Sequence, residues 1–160
     1  MTHLVLQAHP LDDSYNAALL NAVVTGSAHG DDVRVVRASE GDELTADVVA
    51  GARTFTAVYP TWWGSVPAAM LDQLNRLIGP WVDGSRRVGT SPLRSVTRLE
   101  AVTSHGSSLF INRLQGEQGK QLWKRTVLPL CAPKAEFEWK ALYGMDRIAD
   151  TDRRAFLDSI

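Results

Sequence analysis

The residues with most chemistry to offer lie in Tyr59-Pro60-Thr61-Trp62-Trp63-Gly64-Ser65-Val66-Pro67-Ala68-Ala69-Met70-Leu71. A short apolar run, Ala57-Val58-Tyr59, ends at Pro60; two adjacent tryptophans follow, and a helical pattern begins after Gly64 and Pro67. An indole offers a large apolar face and one N–H donor, so a pair of them on a loop suits something flat. Gly64 lets backbone approach a ligand closely. The segment reads as a loop that docks a planar ring system at the end of a buried strand. The competing reading is that Trp62 and Trp63 plug a core or a contact between subunits.

Two further segments carry polar chemistry. His9-Pro10-Leu11-Asp12-Asp13-Ser14-Tyr15-Asn16 precedes a helical pattern, with Ser14 placed as its N-cap. The free N–H groups and partial positive charge of a helix start bind phosphate readily. The Ser14 hydroxyl, the Asn16 amide and His9 are candidate donors to it. Asp12 and Asp13 repel a phosphate, so that reading requires both to face solvent; otherwise the loop is an ordinary capped helix. Thr103-Ser104-His105-Gly106-Ser107-Ser108 is dense in donors and has a glycine for close approach, which suits the polar edge of a ring. A Ser–His nucleophile pair is the weaker alternative, because no G-x-S-x-G elbow is present. There is also no G-x-G-x-x-G after the first strand and no Walker motif. The histidines at 3, 9, 29 and 105 have no metal-ligand spacing, and His3 and His29 read as surface residues. Cys131, the single cysteine, lies in the apolar run Val127-Leu128-Pro129-Leu130-Cys131. It reads as a buried, inert thiol, and a single cysteine excludes both an intramolecular disulfide and a thiolate zinc site.

The elements that must hold these loops alternate between short apolar runs and helical periods. Strands are expected at Leu4–Leu6, ending near Ala8, then at Val33–Val36, Phe55–Tyr59, Leu99–Thr103 and Ala135–Trp139. Helices are expected after Ser14, briefly over residues 45–53, and over Val66–Ile78, where Pro67 sits near the first turn and Gly79-Pro80 is the stop. Residues 107–128 read as mostly helical, weakened by Gly116 and Gly119. A closing helix spans Asp150–Ile160 with Asp150 or Thr151 as N-cap. Residues 80–95 read as a loop. This alternation predicts an α/β fold, a doubly wound, five-stranded parallel sheet covered on both faces and forming a single domain over residues 1–160. Ligands of such sheets sit outside the carboxyl ends of the strands. That rule selects the same three loops, after the first, third and fourth strands.

At 160 residues, with 44% hydrophobic and 22% charged residues, the chain has the composition of a soluble globular protein with a substantial core. A net charge of −1 gives no electrostatic reason to expect nucleic acid or an anionic membrane. No apolar run approaches the roughly 18 residues of a membrane span, and no signal-like segment opens the chain. The expected location is the cytoplasm.

Three places resemble the flavodoxin-like NAD(P)H:quinone oxidoreductase family. His9-Pro10 followed by Ser14-x-Asn16 resembles the family's flavin-phosphate loop. Pro60-Thr-Trp-Trp-Gly-Ser-Val-Pro67, with Leu71, Asp72 and Arg76 beyond, resembles its P-x-x-W-x-x-x-P loop and following helix. Thr103-Ser104-His105-Gly106 stands where the family has Thr-Thr-Gly-Gly. The resemblance implies noncovalent FMN (FAD being the alternative), NAD(P)H as electron donor, and a quinone or similar acceptor served in ping-pong order. It also implies a homodimer whose interface completes the substrate pocket. On this pattern His9, Ser14 and Asn16 hold the phosphate, and Pro60, Thr61, Trp62, Trp63 and Gly64 hold the ring. Thr103, Ser104, His105 and Gly106 hold its pyrimidine side.

The departures are specific. His105 replaces a glycine and adds bulk and a titratable group, which makes it the candidate catalytic residue: as a cation it would stabilise an anionic reduced ring. The competing reading is that His105 caps the next helix or faces solvent. Where animal quinone reductases carry a Tyr and a His assigned to proton relay, this chain has Phe110 (or Ile111) and Gln118, so that relay is expected to be absent. The chain is short for the family, which favours FMN over FAD. Two other functions remain open: a flavin-binding regulatory subunit of a membrane transporter, and a cofactor-free flavodoxin-like interaction module.

Overall fold

The computed structural model of the chain describes residues 1–84 and 90–160. Five strands, β1 (Thr2–Gln7), β2 (Asp32–Arg37), β3 (Ala52–Pro60), β4 (Arg98–His105) and β5 (Glu136–Tyr143), form one sheet in the order β2-β1-β3-β4-β5. Every neighbouring pair is parallel, as the expected doubly wound sheet requires. The order reverses between β1 and β3, which is where such a sheet opens a crevice at its carboxyl edge.

Side chains alternate across the sheet, so each strand feeds two cores. Leu4, Leu6, Phe55, Ala57, Tyr59, Leu99 and Ala101 pack on one face with Met70, Leu74, Leu77 and Trp123. Val5, Val58 and Val102 pack on the other with Leu19, Leu20 and Val23 of helix α1 (Tyr15–Gly26). Phe156 and Leu157 of α6 (Asp150–Asp158) close that second face. The helices between them in the chain are α2 (Ala46–Val49), α3 (Ala68–Gly84), α4 (Leu109–Leu114) and α5 (Gln118–Gln121). Cys131 is buried and donates to the Val127 carbonyl; burial pushes its thiol up to about 12. It is the inert thiol expected.

Several boundaries differ from the sequence reading. Helix α3 runs through Gly79-Pro80 to Gly84 instead of stopping there. Proline removes one backbone donor, but Met70, Gln73, Leu74 and Leu77 already anchor the helix on the core. Of the loop expected over residues 80–95, 85–89 lie outside the described residues, and Leu93 is fully buried. The helical stretch expected over 107–128 is broken where Gly116 (φ 85°) and Glu117 (φ 46°) turn left-handed, and it continues through a π-helical segment, Leu122–Val127. Gly119 sits inside α5, where the Tyr59 hydroxyl would lie 3.1 Å from any added Cβ. Strand β5 extends four residues beyond Trp139, to Tyr143. Ala149, not Asp150 or Thr151, is the N-cap residue of α6.

His3 is not a surface residue: it is buried on β1. Its Nε2 lies 2.8 Å from Thr56 Oγ1 and its Nδ1 2.8 Å from Ser27 Oγ. The Thr56 hydroxyl donates to Glu100 Oε2 at 2.6 Å, so it is left to accept from His3 Nε2, and the neutral ring takes the Ser27 proton at Nδ1 when Ser27 turns from the Val23 carbonyl 2.8 Å away. Burial lowers the His3 pKa, against a smaller opposing pull from Glu100 and Asp31. A folded pKa below the unfolded value of about 6.5 means that the native state prefers the neutral ring. The resulting stabilisation is full above that pH and is lost as pH falls through the folded pKa. Urea unfolding of the wild-type protein is therefore expected to show a midpoint that declines below about pH 6.5. His3→Gln should flatten that decline; equal slopes would mean His3 does not contribute to it.

Candidate functional site

The carboxyl ends of β1, β3 and β4 bring the three predicted loops together. Thr61 N–H donates to the Ser104 carbonyl at 2.8 Å, one rung beyond the last β3–β4 pair, Pro60 and Ser104. Thr61 Oγ1 lies 3.1 Å from Thr103 Oγ1. Asn16 Nδ2 donates to Ser104 Oγ at 3.3 Å, which ties the first loop to the fourth-strand loop. The His9 ring sits 6.0 Å from that of Trp62, which joins the first loop to the third.

The tryptophan loop is a tight hairpin. Trp62 N–H donates to the Ser65 carbonyl at 3.0 Å, and Ser65 N–H returns the bond at 2.9 Å. Its two central residues, Trp63 (φ 53°) and Gly64 (φ 75°), both have positive φ. This is the pattern of a type I′ turn, whose preferred residues are Asn-Gly. Glycine adopts that conformation freely, whereas a bulky residue there is an outlier that stores strain, of a kind found at functional sites. Trp63 gains no packing in return: it is fully exposed, and Trp62 is 43% exposed. Neither belongs to the core, so the core-plug reading of this pair is overturned.

The first loop differs in detail from expectation. Ser14 is the N-cap of α1, but its hydroxyl already donates to the Leu11 carbonyl at 2.8 Å while accepting from Ala17 N–H. Asn16 is buried and its amide nitrogen is turned to Ser104, so burial keeps its side chain from presenting a donor to solvent. The His9 Nδ1 accepts from Leu11 N–H at 3.2 Å. Ser14 satisfies the N–H groups of Ala17 and Ala18. The remaining first-turn N–H groups, of Tyr15 and Asn16, are the anion donors this loop offers. Asp12 and Asp13 are exposed, as a phosphate there requires, and Asp12 lies 3.7 Å from Arg37 Nη1.

His105, the last residue of β4, is buried. Its ring stacks on Tyr143 at 4.5 Å and 15°, and its Nε2 lies 3.4 Å from Thr61 Oγ1. Burial pushes its pKa down to about 4, although Asn112 and Glu117 pull the other way. The ring is therefore neutral across the physiological range, which corrects the expectation of a cation that titrates near neutral pH. It does not cap the next helix either: Ser108 does, accepting from Ile111 N–H.

Sequence reasoning missed the loop after β5. Gly144 N–H donates to the Ser107 carbonyl and Met145 N–H to the His105 carbonyl, both at 2.9 Å. Asp146 Oδ2 stands 2.6 Å from where a Cβ on Gly106 would lie. The available signal was the rule already applied to the other strands, since β5 is parallel and ends at the same edge.

Together, unpaired N–H groups at a helix start, an exposed aromatic turn and an exposed glycine at Gly106 fit a monophosphate joined to a planar ring. His105 Nδ1 and Asn16 Oδ1 are buried without a hydrogen-bond partner, so this edge holds polar capacity that the protein alone does not satisfy. Among the described residues no group of three or more His, Cys, Asp or Glu could hold a metal. No helix among them is long and apolar enough to cross a membrane.

No protein-family profile matches the chain, and no curated protein is similar to it. Solved structures are similar in fold. Smu.1420 from Streptococcus mutans UA159 superposes with a TM-score of 0.82 at 18% identity, over 99% of this chain and 96% of the other. An NAD(P)H:quinone oxidoreductase from Methanothermobacter marburgensis gives a TM-score of 0.73 at 18% identity, over 99% and 92%. An FMN-dependent NADH-azoreductase from Bacillus anthracis, solved with FMN, gives 0.71 at 12%, over 99% and 95%. The fold is the flavodoxin-like one shared by these proteins.

Replacing Trp63 by Asn supplies the residue pair that the turn favours. Trp63→Asn is expected to stabilise the unliganded protein by roughly 1 kcal/mol, the scale of left-handed strain on a bulky residue. A fall in the urea midpoint would show that Trp63 packs in the native state after all.

Proposed function

We propose that the protein is a flavin-dependent oxidoreductase, an NAD(P)H dehydrogenase (quinone)-like flavoenzyme that passes two electrons from NAD(P)H to a quinone or similar acceptor. The observation that carries this reading is the strained, exposed Trp63-Gly64 turn, held between the α1 N-terminus and the β4 loop. Strain without packing implies a ligand that provides the missing contact. The names of two fold neighbours, a quinone oxidoreductase and an FMN-dependent NADH-azoreductase, support a flavin there, and FMN in particular.

When bound, the flavin supplies the two-electron chemistry. The chain's own part is to bind and orient it. The Tyr15 and Asn16 N–H groups hold the phosphate, with Ser14 able to join if it releases Leu11. Trp62 and Trp63 flank the ring. The backbone N–H groups of Trp63 and Gly64 are the ones the turn can offer to its polar edge, since those of Thr61 and Trp62 are already bonded to Ser104 and Ser65; Gly106 lets the β4 loop approach the other side. Thr61 and Thr103 fix the spacing of those two segments. Phe110 and Gln118 carry no group suited to relaying a proton, so protons reach the acceptor from solvent or from the acceptor's own hydration.

A homodimer is part of the same reading. Phe110 and Leu114 on α4 are 73% and 76% exposed, and Gln115 beside them lies against Gly64. Trp63 and this helix thus form one apolar rim at the mouth of the site. A second copy covering it would wall the acceptor pocket.

Purified protein is expected to be yellow, and acid or heat denaturation should release FMN, identified by chromatography. Colourless protein that also fails to take up added FMN would overturn the reading in favour of a cofactor-free interaction module. Trp62→Ala or Trp63→Ala should weaken FMN binding by roughly 1–3 kcal/mol, from lost stacking and burial, while leaving the apoprotein folded. Unchanged affinity in both variants would remove the tryptophans from the pocket.

A further inference from the structure

Tyr143 stands at the end of β5, directly opposite His105 in the sheet register. Its ring lies nearly parallel to the imidazole, 4.5 Å away. The Tyr143 hydroxyl is held from two sides: it accepts from Trp139 Nε1 at 3.1 Å and donates to Glu117 Oε1 at 3.3 Å. Glu117 itself is a left-handed, non-glycine residue at the break between α4 and α5, with its N–H bonded to the Asn112 carbonyl. Beyond His105 the chain of contacts continues through Nε2 to Thr61 Oγ1 and from there to Thr103 Oγ1. The Nε2–Thr61 contact is long at 3.4 Å, so the hydrogen bond alone is too weak to orient the ring. His105 Nδ1 has no partner. The imidazole is bounded by two rings, Trp139 tilted at 6.2 Å and 55° and Tyr143 stacked at 4.5 Å and 15°, and of the two it is Tyr143 that covers its face.

We infer that Tyr143 is a positioning residue of the site: anchored by Trp139 and Glu117, it holds the His105 ring under Thr61 and so sets the polar edge where β3 and β4 end. The inference rests on the reading that this edge receives a flavin. The role belongs to the ring rather than the hydroxyl, because it is the ring face that touches His105. A neutral imidazole leaves either Nδ1 or Nε2 as the donor. With the ring held in place, Nε2 faces the Thr61 hydroxyl in either tautomer, and Thr61 in turn faces Thr103.

Three variants and two readouts test this. Tyr143→Phe keeps the stacked ring; Tyr143→Leu removes it, and Tyr143→Met fills the volume without a ring if the leucine variant does not fold. The first readout is the His105 imidazole titration by NMR on the apoprotein, which requires no cofactor. Glu117, its ion-pair partner Lys120, Arg113 and Asp146 are the charged groups around this pair; every variant frees Glu117 of the Tyr143 hydroxyl alike, so Tyr143→Phe controls for that loss. Wild type and Tyr143→Phe are expected to titrate near 4, whereas loss of the ring should raise the value towards about 6.5, the ordinary one for an exposed histidine. The second readout is FMN affinity by fluorescence quenching. It should be within about twofold of wild type for Tyr143→Phe and weaker by about tenfold for the ringless variant, the upper range for loss of an aromatic pair. An unchanged His105 titration in the ringless variant overturns the inference. So does an equal loss in Tyr143→Phe, which would assign the effect to the hydroxyl. Wild-type protein that binds no FMN would sink the functional reading instead, while the apoprotein titration still reports on Tyr143 and His105.

Discussion

One hydrogen bond past the end of the sheet organises this edge of the molecule. Thr61 N–H to the Ser104 carbonyl, at 2.8 Å, continues the β3–β4 ladder beyond the last residue of β3. A parallel sheet with both faces covered leaves irregular backbone only at its ends. Extending the ladder by one rung clamps the tryptophan turn onto the β4 loop before the chain departs into α3. Asn16 then reaches the same Ser104 from α1, so three loops from distant parts of the sequence meet on one residue. Without that rung, the turn would hang from β3 alone, and its left-handed pair would have little reason to persist.

The sheet, its five strands and the three loops were legible in the sequence because they depend on local signals. Short β-branched and apolar runs, Ser14 before a helical period, and Pro60 and Pro67 around an aromatic pair each mark their element without tertiary information. Boundaries were less legible where packing overrides propensity. Pro80 reads as a stop, yet α3 continues because its buried face, Met70 to Leu77, already fixes the helix before the lost bond. Lys140 and Tyr143 hide the end of β5, since an edge strand shows no continuous apolar run. Donor roles were the least legible. Asn16 and Ser14 have the right chemistry for an anion, but the Asn16 amide nitrogen is turned to Ser104 and the Ser14 hydroxyl proton to Leu11, and sequence spacing carries no record of that.

His105 shows how burial changes the meaning of a residue type. An exposed histidine at a strand end is a charge switch near neutral pH. Here the ring turns into the helix-covered face of the sheet, between Thr61 and Tyr143, and the desolvation of the charged form outweighs the attraction of Glu117. Any effect of this residue on a bound ring therefore acts through hydrogen-bond direction and shape, not through a positive charge. The same holds at the opposite edge of the sheet, at the start of β1, where His3 is built into a network that runs from Ser27 through its ring to Thr56 and Glu100.

The distribution of strain points the same way. Among the described residues, three non-glycine residues have positive φ: Trp63, Glu117 and Lys134. Two of them lie at the ends of the contact chain that passes through Thr61, His105 and Tyr143. Trp63 is two residues from Thr61 along the hairpin, and the Glu117 carboxylate receives the Tyr143 hydroxyl. A fold selected for stability alone would place Asn or Gly at both positions. Keeping a tryptophan in one, fully exposed, and an acidic side chain in the other gives up stability locally. The surrounding contacts, the Trp62–Ser65 pair and the Glu117–Asn112 bond, are what hold those conformations. The sheet edge is therefore pre-set before any ligand arrives, with its aromatic surface presented outward and its polar side chains locked behind it.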